Sequence, residues 1–177
     1  MIKMEEITVL INEITNEVTR IKQKYALTGI PVDLHKILEA ENIEVIETDF
    51  TAYESKVKKP ISGMLYIDGD NKLILVNEKD NKKRRNFTIA HELGHYFLHW
   101  ERDKTNEIFV SFRGDSNPRE TEANRFAAEL LLSDDDVEKE YKLVIYPTVS
   151  YLAEKFNVSK QAMGIKLEQL GLSYIGL

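Results

Sequence analysis

Two histidines four residues apart bracket a glutamate in the run His91-Glu92-Leu93-Gly94-His95. Residues at that spacing stack on one face of a helix, one turn above the other. Two imidazoles so placed can reach a single Zn2+ at about 2.0–2.1 Å. Glu92 follows the first histidine and can hold a water there and take its proton, because zinc lowers the pKa of such a water toward ~7. The same carboxylate can then pass the proton to a leaving amine. The chemistry to which this spacing points is hydrolysis of a peptide bond. Phe87, Ile89, Ala90, Leu93, Phe97 and Leu98 make the surroundings apolar. That favours a buried polar row, which needs partners, over two histidines on a solvated face.

A catalytic zinc site usually takes three protein ligands and keeps one position open. The chain has no cysteine, so His, Asp and Glu are the available donors. His99 shares the face of His91 and His95. On an unbroken helix it stands about 12 Å from His91, at 1.5 Å rise per residue, and no glycine between His95 and His99 ends the helix. His99 is therefore expected to pack behind the site or line its rim. The better source is the helical run Pro118 to Leu132. Glu120 and Asn124 are four apart there, which sets a carboxylate and an amide on one face, and the amide can hydrogen-bond a ligand histidine. Glu122 pairs instead with apolar Phe126. Glu120 is favoured as third ligand, with Glu122 the alternative.

The elements that must position these groups follow from periodicity. Ile7, Leu10, Ile11, Ile14, Val18 and Ile21 mark an amphipathic helix over 4–25. Gly29 and Pro31 punctuate it, and a second helix is expected over 32–41. Ile43 and Val45, with Phe50, suggest a short strand, and 56–60 a polar loop. Residues 61–67 and 73–76 read as two strands around the turn Asp68-Gly69-Asp70-Asn71, a β-hairpin. The motif helix is expected over 87–100. Residues 101–117 read as a loop with a short strand at 108–112. Asp134–Asp136 suit a helix start, and two short helices follow near 148–156 and 159–170. Strands before the motif helix and helices after it give an α+β fold. The expected units are 1–133, a catalytic domain with a small antiparallel sheet, and 134–177, a small helical subdomain. The chain has 177 residues, 42% hydrophobic and 31% charged, with a net charge of −6. That charge argues against a general nucleic-acid binder, whose affinity comes from neutralising phosphates. No secretory signal or membrane-length apolar run is seen, so a cytoplasmic location is expected.

The stretches 84–99 (RRNFTIAHELGHYFLH) and 119–132 (RETEANRFAAELLL), with 29–45, resemble the ImmA/IrrE family of metallopeptidases. The resemblance implies a zincin-like core, zinc held by His91, His95 and Glu120, and Glu92 as catalytic base. It departs from the family pattern at Ser133, where proline is common. It also implies a protein substrate, a helix-turn-helix repressor of a phage, mobile element or stress response, whose cleavage relieves transcriptional repression.

Other features carry less. The tail 149–172 resembles a helix-turn-helix, with small Ala153, a turn at Asn157-Val158-Ser159 and Ser159 as cap. Glu154 and Glu168 offset Lys155, Lys160 and Lys166, so a subdomain packed on the core, or reading a protein partner, is favoured over a DNA reader. The alternative function is a regulator that binds DNA or sequesters a repressor without cutting it. Lys82–Arg85 is expected to be a solvated loop rather than a contact for phosphate or an acidic substrate. His35 is expected to be structural. Gly63 suits a close backbone approach, and Ser62–Tyr66 is the candidate edge for a substrate strand. Tyr66, Tyr96 and His99 are the candidate oxyanion donors.

Overall fold

The computed structural model describes residues 2–100 and 107–175. Helix α1 (Ile2–Lys24) is followed by α2 (His35–Ala40), β1 (Glu44–Thr48), α3 (Thr51–Val57), β2 (Ile61–Asp68) and β3 (Asn71–Asn77). Helix α4 (Lys82–His95) runs into a π-helical turn, Tyr96–Trp100. Then come β4 (Glu107–Phe112), α5 (Pro118–Leu131), α6 (Asp134–Lys142), α7 (Val149–Lys155) and α8 (Lys160–Gln169). Helices and one sheet share the core, a mixed α and β architecture. None of the described helices is long and apolar enough to cross a membrane.

The sheet has the order β1-β3-β2-β4. The hairpin forms as expected, with Gly69 at φ 58° in its turn, where a glycine meets no steric cost. β2 pairs antiparallel with both β3 and β4. β1, however, pairs with β3 in parallel, so the sheet is mixed rather than antiparallel. The reason is the connection. Helix α3, which the sequence reading did not separate from its loop, carries the chain past the slot that β3 later fills. A second consequence concerns β2. It lies inside the sheet, so Ser62–Tyr66 cannot offer an edge to a substrate; the outer edge beside the site is β4.

Helix α4 lies between the sheet and α5. It begins at Lys82, five residues earlier than its apolar pattern suggests, because the Asn81 side chain caps it by accepting from Arg84 N–H at 3.0 Å. Lys82–Arg85 is thus the first turn of the helix and not a loop. The expected loop 101–117 lies outside the described residues as far as 106. Helix α5 begins with Pro118 after Asn117, whose side chain accepts from Glu120 N–H at 3.0 Å. Phe126, Ala127 and Leu130 of α5 are fully buried against the core shared with α1 (Ile14, Val18, Ile21) and with Val149, Leu152 and Leu167 of the last helices. Burying side chains of this size stabilises by about 1.5–3 kcal/mol each.

Candidate metal centre

His91 and His95 project from one face of α4, and Glu120 from the first turn of α5, where a carboxylate is favoured by the helix dipole. His95 Nε2 lies 3.1 Å from His91 Nε2. Glu120 Oε1 is 3.0 Å from His95 Nε2, and its Oε2 is 3.2 Å from His91 Nε2. All three residues are buried. Tetrahedral bonds of about 2.0–2.1 Å place ligand atoms about 3.3 Å apart, close to these distances.

The tautomers are set from behind. His91 Nδ1 faces Asn124 Oδ1 at 3.0 Å. A carbonyl oxygen only accepts, so Nδ1 donates and Nε2 keeps its lone pair. His95 Nδ1 faces His99 Nδ1 at 3.0 Å, and His99 Nε2 faces a Glu122 oxygen at 3.1 Å. Glu122 accepts from His99 Nε2–H, so His99 Nδ1 accepts from His95 Nδ1–H. Two imidazole lone pairs and a carboxylate then converge on one point. Lone pairs so arranged repel one another unless a cation lies among them, and this donor set fits a divalent metal.

Burial alone would raise the pKa of Glu120, but the imidazoles of His91 and His95 that face it outweigh this and hold the value at about 2, so the carboxylate is ionised, as a metal ligand is. Burial lowers the pKa of His95. For His91 the same burial is overcome by Glu120 and the neighbouring Glu92, and its pKa is raised. Glu92 is fully buried, and neither carboxylate oxygen has a hydrogen-bond partner. Burial raises its pKa to about 7, which the neighbouring His91 offsets only in part. A carboxylate so placed is tuned toward neutral pH, as a general base requires.

The motif, the triad and the helix pairing together invite comparison with known proteins. A peptidase family model described as the IrrE N-terminal-like domain matches residues 38–168. The chain belongs to this IrrE N-terminal-like family. It is the ImmA/IrrE group to which 84–99 and 119–132 pointed. Metallopeptidase ImmA of Bacillus subtilis (strain 168) is 27% identical over 139 residues, covering 78% of this chain and 77% of the relative. "Uncharacterized immunity region protein 2" of Bacillus phage phi105 is 35% identical over 119 residues, covering 66% of each. The family match runs from α2 through the last helices.

Within this IrrE-like chain the remaining sequence candidates fall as follows. Glu122 does not join the triad; it bonds His99. His99, in the π-helical turn, stands outside the group formed by His91, His95 and Glu120, and its Nδ1 faces His95. The Tyr96 hydroxyl donates to Glu41 Oε2 at 2.7 Å and accepts from Lys72 Nζ at 2.9 Å. The Tyr66 hydroxyl turns to Asp68 at 3.3 Å. His35 stays apart from the triad, at the start of α2. Gly63 meets the close approach foreseen for it: a Cβ there would stand 2.4 Å from Thr88 Cγ2 and 2.8 Å from Glu92 Oε1.

Three groups escaped the sequence reading. Ser111 on β4 lies 3.2 Å from His91 Nε2. Phe109, also on β4, stacks on the His95 ring with centroids 5.1 Å apart. Gly94 lets α4 and α5 touch: a Cβ there would lie 3.0 Å from Ala123 Cα. A strand's serine and phenylalanine carry no signal of their own, but the glycine inside a helix does.

Proposed function

We propose that this chain is a zinc-dependent endopeptidase of zincin-like architecture. The observation that carries the reading is the convergence of His91, His95 and Glu120 beside the buried, unpartnered Glu92. A bound zinc would be held by those three residues and would supply Lewis-acid polarisation of the scissile carbonyl and a water of lowered pKa. Glu92 takes a proton from the attacking water and returns it to the leaving nitrogen. Asn124 and the His99–Glu122 pair keep the two imidazoles turned with Nε2 inward. The substrate enters a pocket of ≈ 140 Å³ lined by His91, Ser111, Thr88 and Glu120, with its backbone along the outer edge of β4.

The proposed substrate is a protein, a helix-turn-helix repressor whose cleavage relieves repression. Membership of a peptidase family and the likeness to an immunity-region protein of a phage support it. The reading in which the tail binds DNA is less favoured. Lys166 is buried in ion pairs with Asp134 at 2.7 Å and Glu129 at 3.7 Å, and Lys155 pairs with Glu140. These cations serve packing and do not form a basic face. The test is Glu92→Gln, which removes the base and keeps the ligands. Zinc content by elemental analysis is expected to stay near one per chain, while fragments of the co-encoded repressor disappear on gels. Cleavage by Glu92→Gln sinks the general-base role, and loss of zinc there sinks the ligand set.

A further inference from the structure

The first turn of α4 holds four cations, Lys82 to Arg85, and no acid, although the positive end of a helix dipole disfavours cations. Two of them are tied down. Lys83 pairs with Glu154, and Arg85 pairs with Glu47 at 3.2 Å and donates to the carbonyls of Glu78 and Asp80. Lys82 is exposed. Arg84 is different, because its side chain lines the same pocket as His91 and Glu120.

The pocket is built around that guanidinium. The pairing of β2 with β4 slips between Ile61 and Gly63, leaving Ser62 as a bulge residue, and a bulge re-aims a side chain. Ser62 Oγ lies 3.5 Å from Arg84 Nη2 and lines the pocket too. The other charged groups of the lining have counter-charges. Arg113 pairs with Asp80 at 2.7 Å, Asp115 with Lys59 at 3.6 Å, and Glu120 serves the imidazoles. Among the described residues no carboxylate stands within ion-pair distance of Arg84. It is an exposed guanidinium at the mouth of a catalytic pocket, with a hydroxyl beside it.

We propose that Arg84 determines specificity by binding an aspartate or glutamate side chain of the substrate, about three residues from the scissile bond. The inference rests on the peptidase reading and names its substrate class. Arg84 and His91 are seven residues apart, so they share a face of α4 and are about 10 Å apart along the axis. An extended peptide advances about 3.3 Å per residue, so that separation spans about three residues. The planar fork of a guanidinium matches a carboxylate with two parallel hydrogen bonds, and Ser62 adds a hydroxyl donor. An acidic segment is otherwise repelled by a chain of net charge −6, so a local cation at the mouth decides whether it docks.

The full chain loaded with Zn2+ is given a random-sequence peptide library, and the cut sites are read by mass spectrometry. Asp and Glu are expected to be enriched about 10-fold over Asn and Gln at one position about three residues from the cut. Arg84→Lys should keep a weaker enrichment, Arg84→Gln should lose it, and Arg84→Glu should turn it toward Lys and Arg. Running the library amidated and with free C-termini separates a side-chain carboxylate from a terminal one; enrichment confined to free termini overturns the proposal. So does enrichment that survives in Arg84→Glu, or its absence in the parent protein. If the parent protein cuts nothing, the peptidase reading fails, and the Glu92→Gln protein serves as bait for the same library. Acid-rich captured peptides, lost with Arg84→Glu added, then support carboxylate recognition, and unselective capture overturns it.

Discussion

His91 Nδ1 stands 3.0 Å from Asn124 Oδ1, across the contact between α4 and α5. That single hydrogen bond fixes which imidazole nitrogen is turned toward His95 and Glu120. Outer partners of this kind orient ligands, and losing one typically costs 10–100-fold in metal affinity. Asn124→Ala is therefore expected to weaken zinc binding by about 10–100-fold, read by competition with a chelator of known affinity. Glu122→Ala acts through His99 on His95, and a loss of about 10-fold is expected. Unchanged affinity in both variants would show that the ligands need no such support.

Gly94 sits where α4 crosses α5. A Cβ there would lie 3.0 Å from Ala123 Cα, 3.1 Å from Ala123 O and 3.2 Å from Phe126 Cβ. The first two belong to helix backbone, so relief means moving α5, which carries Glu120. Gly94→Ala is expected to destabilise by about 1–3 kcal/mol through overpacking and to weaken the metal site in the same variant. Chemical denaturation measures the first and chelator competition the second. A destabilised protein with parent zinc affinity would separate the crossing from the site.

Glu41 gathers three donors behind the π-helical turn: Lys24 Nζ at 2.9 Å, the Tyr25 hydroxyl, and the Tyr96 hydroxyl at 2.7 Å. Partial burial alone would raise its pKa, but these hydrogen bonds bring it from 4.5 down to about 2. The folded value is depressed, so the stabilisation is present above the unfolded pKa and is lost as pH falls toward 2. Glu41→Gln is expected to cost on the order of 1 kcal/mol at pH 7, discounted for its solvent exposure, and progressively less below pH 4. Urea midpoints of both proteins at pH 7 and pH 3 check this; an equal gap at both values rejects the linkage.

The spacing of the motif is what points to hydrolytic chemistry. His91, Glu92 and His95 are local on one helix, and a period of four residues dictates that the histidines share a face whatever packs around them. It also favoured Glu120 with Asn124, because the same rule puts acid and amide together on α5. The hairpin and the cap at Ser159 are local in the same sense, whereas the close approach at Gly63 depends on Thr88 and Glu92 of α4. The parallel pairing of β1, the interior position of β2 and the meeting of Arg84 with Ser62 depend on segments distant in the chain, and no local period encodes them. His99 shows the boundary between the two: its spacing from His95 was legible, but its contact with Glu122 comes from another helix. The triad of His91, His95 and Glu120 is likewise part local and part tertiary. The helix supplies two members, and the third arrives because Gly94 lets α5 come close enough to deliver it.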